Sequence, residues 1–175
     1  MANKKIFTVG LAKVLIGNIA ADGGMSTTLV ELGDTWRDTC QITTDDPTRT
    51  DFSVEENDDP IFSRVSGGAI NFTTQIANPS VELLQRIFGG TISGEATDTP
   101  VWNAPNKMPV IEQSLQIAAE QGFTIKAPRV SIGASINATF SNYSENAFLV
   151  TVTGRILTPK KANTPKLTLA VVASA

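Results

Sequence analysis

The chain has 175 residues, 41% of them hydrophobic and 18% charged, which predicts one globular domain with a real core. Its net charge of −3 gives no general attraction for nucleic-acid phosphates. Histidine is absent, which removes the usual general base and most zinc sites. The single cysteine, Cys40, excludes an internal disulfide and is expected to be a small buried hydrophobe.

The first part of the chain predicts short strands separated by glycine turns. Gly10–Ala21 is a predicted strand, and the Asp22-Gly-Gly sequence that follows is a strong turn signal. Thr27–Leu32 is the predicted second strand. A cleaved secretory signal is not expected, because Lys13 and Asn18 interrupt the apolar stretch, and no apolar run reaches the ~20 residues of a membrane helix.

Two hairpins are predicted in the second quarter of the chain. In the first, Trp36–Thr44 pairs with Thr48–Glu56, because both arms alternate apolar with polar residues. Glu55–Pro60 is expected to be a charged loop. In the second hairpin, Ile61–Val65 pairs with Ala69–Ile76 across a glycine-containing turn.

One convincing helix is predicted, at about residues 78–89. Asn78 is suited to the N-cap, Pro79 to the first helical position and Gly89 to a left-handed stop. One side of this helix is apolar and the other polar, so it should lie over an apolar surface. The apolar side holds Val81, Leu83, Leu84, Ile87 and Phe88.

Long strands dominate the rest of the chain. The irregular segment after the helix is expected to contact a neighbouring subunit, with Trp102 as an anchor. Val110–Ala119 and Phe123–Phe140 form the last large predicted hairpin. Ala147–Leu157 returns beside it, and Leu167–Val172 is the predicted end strand.

These elements predict a mainly β architecture of about eight to ten strands with one helix. The whole chain, 1–175, is interpreted as a single domain with an N-terminal arm at 1–9 and a C-terminal extension at 159–175. Long strands with few charged residues to guard their edges favour sheets that continue across subunits.

No pattern in the sequence points to catalysis, a metal or a cofactor, and we expect a protein that is not an enzyme. Seven acids stand within residues 45–59 with only Arg49 against them, but they lack the spacing of a calcium-binding loop and are expected to form a solvated charge patch. Glu55 and Glu56 cannot act as a catalytic pair, because neighbouring strand residues point to opposite faces.

Three stretches, Gly17–Met25, Leu32–Thr39 and Glu55–Pro60, resemble the N-terminal half of tail tube (major tail) proteins of long-tailed bacteriophages and prophages. In outline the resemblance continues through the helix and the long final hairpins. It implies a β-sandwich or barrel with one flanking helix, and homohexameric rings in which two hairpins per subunit join neighbours around a lumen. The rings would stack into a tube through which the genome leaves.

The resemblance also implies the surroundings of the protein. Its partners would be further copies of itself and other tail proteins, namely the tape measure, the tail terminator and the baseplate or tip. DNA would be present only transiently and without specific binding, and no membrane would be involved. The protein would be assembled in the cytoplasm of the host bacterium and located in the tail of the virion.

A polar strand face is expected to line the lumen, because each contact between a cation and a phosphate would hold the DNA back. Two sets of residues are candidates for this face. They are either Thr39, Gln41, Asp51, Ser53 and Glu55, or Asn71, Thr73 and Gln75.

Contacts between rings or subunits are expected where charges complement one another. The N-terminal arm and the C-terminal extension carry positive charge, whereas the stretch 45–59 carries negative charge. The charged candidates are Lys4, Lys5, Asp45, Asp46, Asp58, Asp59, Lys160 and Lys161. Leu83 and Trp102 are the apolar candidates for a contact with the next subunit.

A second interpretation stays open, a monomeric carbohydrate-binding or fimbrial β-sandwich. In that case Trp36 and Trp102 would serve a glycan-binding surface. Electron micrographs of the purified protein separate the two, because the first interpretation predicts rings or hollow tubes and the second predicts small featureless particles.

Overall fold

The computed structural model describes residues 6–94, 99–138 and 148–171. The predicted contacts of Lys4 and Lys5, and the end of the predicted strand Phe123–Phe140, lie outside these ranges. The elements in chain order are β1 (Val9–Asn18), β2 (Val30–Glu31), β3 (Gln41–Thr44), β4 (Thr48–Val54), β5 (Asn57–Ser66), β6 (Ile70–Ile76), α1 (Val81–Phe88), β7 (Thr91–Ser93), β8 (Val101–Asn103), β9 (Ile111–Gln121), β10 (Phe123–Ala138), β11 (Phe148–Ile156) and β12 (Thr168–Val171).

One large antiparallel sheet carries the fold, with the strand order β2-β1-β9-β10-β11-β6-β3. The 16-residue β10 belongs to both halves of this sheet, because its first part pairs with β9 and its last part with β11. The register shifts between Ala127 and Val130, where Pro128 has no N–H to give to the ladder. β12 pairs with β10 over Phe123–Lys126, on the edge that β11 leaves free.

Residues 32–40 connect the two ends of the sheet. At the start of this segment the Leu32 N–H donates to the Val14 carbonyl at 2.8 Å, so the chain still follows β1. Four residues later the Trp36 N–H donates to the Gln75 carbonyl at 2.7 Å, so the chain has reached β6. The sheet therefore folds over on itself as a sandwich, and the prediction of a mainly β sandwich with one flanking helix is confirmed.

The core lies on the inner face of this sandwich. Its fully buried side chains include Val14, Ile16, Leu32, Phe72, Ile76, Leu115, Val130, Val150 and Val152. Cys40 is half-buried against this core, and burial raises the pKa of its thiol. That environment suits the packing role predicted for it.

The helix α1 covers one side of the core with Leu83, Ile87 and Phe88. The side-chain oxygen of Ser80 accepts the Leu83 N–H at 3.1 Å, so Ser80 is the N-cap. Gly89 ends the helix with a φ of +78°, as predicted.

The N-cap was predicted at Asn78, two residues before the observed Ser80. The Asn78 side chain instead forms hydrogen bonds with Asp34. The Asn78 Oδ1 accepts the Asp34 N–H at 2.8 Å, and its amide donates to the Asp34 carboxylate. Asn78 therefore fastens the end of β6 to the segment that closes the sandwich.

The predicted irregular segment after the helix contains the short hairpin of β7 and β8. This hairpin holds Trp102 against the helix end, where its indole N–H donates to the Gly89 carbonyl at 2.9 Å. The Trp102 and Phe88 rings lie 5.4 Å apart. Trp102 is thus an anchor within its own chain.

Partner choice among the early strands differs from the prediction. β3 pairs with β6, and β4 pairs with β5. Both predicted hairpins are therefore wrong in their pairing, namely Trp36–Thr44 with Thr48–Glu56 and Ile61–Val65 with Ala69–Ile76. The predicted charged loop 55–60 is a two-residue turn followed by the start of β5. The predicted second strand, Thr27–Leu32, shortens to β2.

Close contacts at the base of the β4–β5 hairpin, between Asp45 and residues 68–69, explain this pairing, and we call this place the neck. The Asp45 N–H donates to the Ala69 carbonyl at 2.8 Å, just outside the β4–β5 hairpin. A Cβ atom added at Gly68 would lie 1.7 Å from the Asp45 carbonyl oxygen, so only glycine permits the approach. The neck keeps β3 on β6 and leaves β4 and β5 to pair with each other.

Candidate assembly surfaces

The outer side of β10, β11, β6 and β3 carries mostly uncharged polar side chains, which form a surface that we call the polar face. Leu149 and Arg155 lie on the same side of β11. Cross-strand partners share a side of a sheet, and Thr73 pairs with both Gln41 and Thr153. Thr153 pairs in turn with Gly133. The polar face consists of Gln41, Thr43, Asn71, Thr73, Gln75, Ser131, Gly133, Ser135, Asn137, Thr151 and Thr153.

Hydrogen bonds within the polar face use part of its donor capacity. The Asn137 amide donates to the Thr151 hydroxyl at 3.0 Å, and the Thr153 hydroxyl donates to the Gly133 carbonyl at 3.3 Å. The exposed Arg155 lies where the face ends, beside Asn71. Arg155 also pairs with Ser131, so this one cation shares the last row of the face with Ser131, Asn71 and Thr43, and the other rows of the face carry no charge.

The structure brings one set of predicted lumen residues together. Asn71, Thr73 and Gln75 alternate along the outer side of β6, with Gln41 beside them on β3. Thr39 lies at the adjoining edge, where its hydroxyl accepts the Gln75 N–H at 3.1 Å.

The other predicted set is not one face, and this expectation is corrected. Asp51 and Ser53 lie on β4, and Glu55 lies in the turn beyond it, on a hairpin separated from β3 by the neck. The correction follows from strand pairing, because β3 and β4 are neighbours in sequence but not in a sheet.

β4 and β5 form a hairpin, residues 48–66, that we call the projecting hairpin. Each strand residue of it is exposed, and within the described part of the chain the two strands pair only with each other. The Phe52 and Phe62 rings lie 5.7 Å apart on one side of it. Five large apolar side chains remain exposed, namely Phe52 (49%), Val54 (42%), Ile61 (62%), Phe62 (59%) and Val65 (56%).

The acids predicted to contact another ring lie at both ends of the projecting hairpin. Asp58 and Asp59 are exposed beside its tip. Asp45 and Asp46 are exposed at its neck, where an Asp45 carboxylate oxygen accepts from the Asn71 amide at 3.2 Å.

The lysines predicted to oppose these acids are paired within the chain. The Lys161 ammonium lies 2.7 Å from the Asp22 carboxylate, and it lowers the pKa of that carboxyl chiefly by donating a hydrogen bond. The Lys160 ammonium lies 3.9 Å from the Glu112 carboxylate. Both lysines remain exposed and therefore accessible to a second carboxylate.

Leu83, predicted to contact a neighbouring subunit, is buried in its own chain with 7% of its surface exposed. That prediction is wrong, because the helix turns this edge of its apolar side toward the core. Glu82 and Gln85 form the exposed side of the helix.

An ion pair ties the start of the C-terminal extension to the sheet. The Arg129 guanidinium donates to both carboxylate oxygens of Glu112, at 2.6 and 2.9 Å, and also to the Thr158 carbonyl at 3.1 Å. These hydrogen bonds lower the pKa of the Glu112 carboxyl and raise the pKa of Arg129.

Glu112→Gln is expected to weaken the dependence of unfolding free energy on pH. A carboxyl with a lowered folded-state pKa stabilises the fold above its unfolded pKa of about 4.3, and the contribution is lost as the pH falls through the folded-state value. Urea unfolding between about pH 6 and 3 measures this difference. Glu82→Gln, at an exposed helix position, is the control, and equal pH profiles for wild type and Glu112→Gln would contradict the role of the ion pair.

Comparison with protein-family models found no match, and a search of curated proteins found none. No helix within the described ranges is long and apolar enough to cross a membrane. Across the same residues, no cluster of three or more acidic or cysteine side chains is arranged to hold a metal ion.

Proposed function

We propose that this protein is a structural subunit that assembles with copies of itself into stacked hexameric rings, forming the tail tube of a long-tailed bacteriophage or prophage. The projecting hairpin carries the proposal. An isolated two-stranded hairpin is at best marginally stable in water, and this one exposes five large apolar side chains. It therefore requires a partner surface, and a repeating assembly supplies one to every copy.

The polar face supports a lumen as the second part of the proposal. DNA binds proteins chiefly through cations that neutralise its phosphates, and the affinity rises with each such contact. A wall of threonine, serine, asparagine and glutamine hydrates the passing DNA without holding it. The polar face would line the tube, with Arg155 at its rim.

The remaining surfaces are assigned accordingly. The acidic tip of the hairpin and the basic C-terminal extension would add attraction between rings, and the exposed side of the helix would face outward. The tape measure, terminator and baseplate or tip proteins would meet the tube in the virion. The protein would be assembled in the host cytoplasm and would not act as an enzyme.

Negative-stain electron microscopy of the purified wild-type protein tests the proposal. Rings or hollow tubes are the expected result, together with a sedimentation profile that shifts to larger species as the concentration rises. A protein that remains a small monomeric particle at high concentration would contradict assembly. Glycan binding by such monomers would instead support a carbohydrate-binding sandwich.

A further inference from the structure

The inner face of the sheet continues beyond the core on β1, β9, β10 and β12. Strand register identifies the residues on this side, since Leu11 pairs with Ala119 and Phe123 pairs with Val171. We call this surface the open apolar face. Its apolar residues are Val9, Leu11, Ile117, Ala119, Phe123, Ile125, Leu169 and Val171, and Gln121 lies opposite Val9 at its edge.

The open apolar face passes from buried to exposed along its length. Ile117, beside the core, is 7% exposed, whereas Val9, Leu169 and Val171 are 61%, 55% and 57% exposed. A groove of about 720 Å³ lies over the buried end, and Trp36, Cys40 and Ile42 form its opposite wall. The opposing layer of the sandwich therefore covers only part of this face.

The projecting hairpin is a second exposed surface of the same chain, with apolar side chains on both of its sides. Register places Phe52 and Phe62 on one side, and Ile61 and Val65 on the other. Its strands have 7 and 10 residues, 17 in all, which approaches the lower end of the ~20–30 residues that one side of a standard protein interface uses. In its own copy the hairpin leaves the open apolar face uncovered, as the exposure of both surfaces shows.

We propose that the projecting hairpin of one copy packs on the open apolar face of a second copy. This inference rests on the proposed function and identifies the two surfaces that meet. The interface is heterologous, because each copy contributes a different surface to each of its two contacts. Every copy can then donate one hairpin and receive another, so association continues into a ring or a filament.

Mixing two defective variants tests this arrangement. Phe62→Glu places a charge on the hairpin, and Val171→Glu places one on the open apolar face. Each variant alone is expected to sediment as a monomer, whereas a 1:1 mixture forms a heterodimer, because one intact hairpin meets one intact face. Val110→Glu, at an exposed position outside both surfaces, is the control and should assemble like the wild type.

The outcomes separate this inference from the proposed function. Wild-type tubes together with normal tubes from Val171→Glu would overturn the inference and leave the function standing. A mixture that stays monomeric would also overturn it. A wild-type protein that never assembles would overturn both.

A disulfide experiment gives a second measurement that introduces no charge. In a Cys40→Ala background, Phe62→Cys and Val171→Cys are prepared as separate single-cysteine proteins, mixed and oxidised. The expected product is a dimer that contains one copy of each variant. Dimers of Val171→Cys with itself, formed in preference to the mixed product, would show face-to-face packing and overturn the proposal.

Discussion

Phe72→Ala is expected to lower the free energy of unfolding of the monomer by about 3–5 kcal/mol, the range for removing a large buried aromatic side chain. Phe72 is 2% exposed on the inner side of β6. A Cβ added at Gly154 on the neighbouring strand would lie 2.7 Å from Val130 Cγ1 and 3.4 Å from the Phe72 ring, so both side chains pack over this glycine. Truncation would open a cavity at the pairing of β6 with β11.

Phe52→Ala is the matched control, because it removes the same atoms from an exposed position. Phe52 is 49% exposed and its aromatic contact is with Phe62, so its loss should reduce stability by only about 1 kcal/mol. We expect its main effect on assembly, because it removes apolar surface from the projecting hairpin. The two phenylalanines thus separate folding from association.

Urea unfolding at a concentration below the onset of assembly measures both variants, with Trp36 and Trp102 as fluorescence probes. Should Phe72→Ala prove too unstable to purify, Phe72→Leu leaves a smaller cavity and should give a smaller loss in the same direction. Equal losses for Phe72→Ala and Phe52→Ala would contradict the division between core and hairpin.

Period-two alternation predicted the late strands well. Alternation from residue 130 onward predicted β10, and β11 returns beside it as expected. Alternation indicates that a segment is a strand and shows which of its residues share a side. The turn between β9 and β10 is a single glycine, so β9 is the strand that lies within reach of the first part of β10. Local pattern and chain connectivity agree in this part of the fold.

The early strands show where the sequence pattern is insufficient. β3 and β4 alternate as hairpin arms do, yet β3 pairs with β6, more than twenty residues away. The deciding contact is the neck of Asp45 with Gly68 and Ala69, a tertiary approach that no local pattern encodes. For the same reason, only Gln41 and the β6 residues of the polar face could be predicted, since β10 and β11 join it through register.

Thr153→Cys is expected to show whether the polar face lines the lumen. Thr153 is exposed in the monomer, so in a Cys40→Ala background a cysteine there should react with both a small maleimide and a bulky polymer-linked maleimide. After assembly the small reagent should still react. Reaction with the bulky reagent should fall to background, because a narrow tube admits it poorly.

Gln85→Cys is the matched control, on the exposed side of the helix that should form the outer surface. It should react with both reagents before and after assembly, which verifies that the tubes themselves do not consume or exclude the bulky reagent. Electron microscopy of each variant before labelling confirms that the substitution permits assembly. Full reaction of Thr153→Cys with the bulky reagent in intact tubes would place the polar face on the outside of the tube. A narrow lumen excludes the bulky reagent by size alone, whichever residues line its wall.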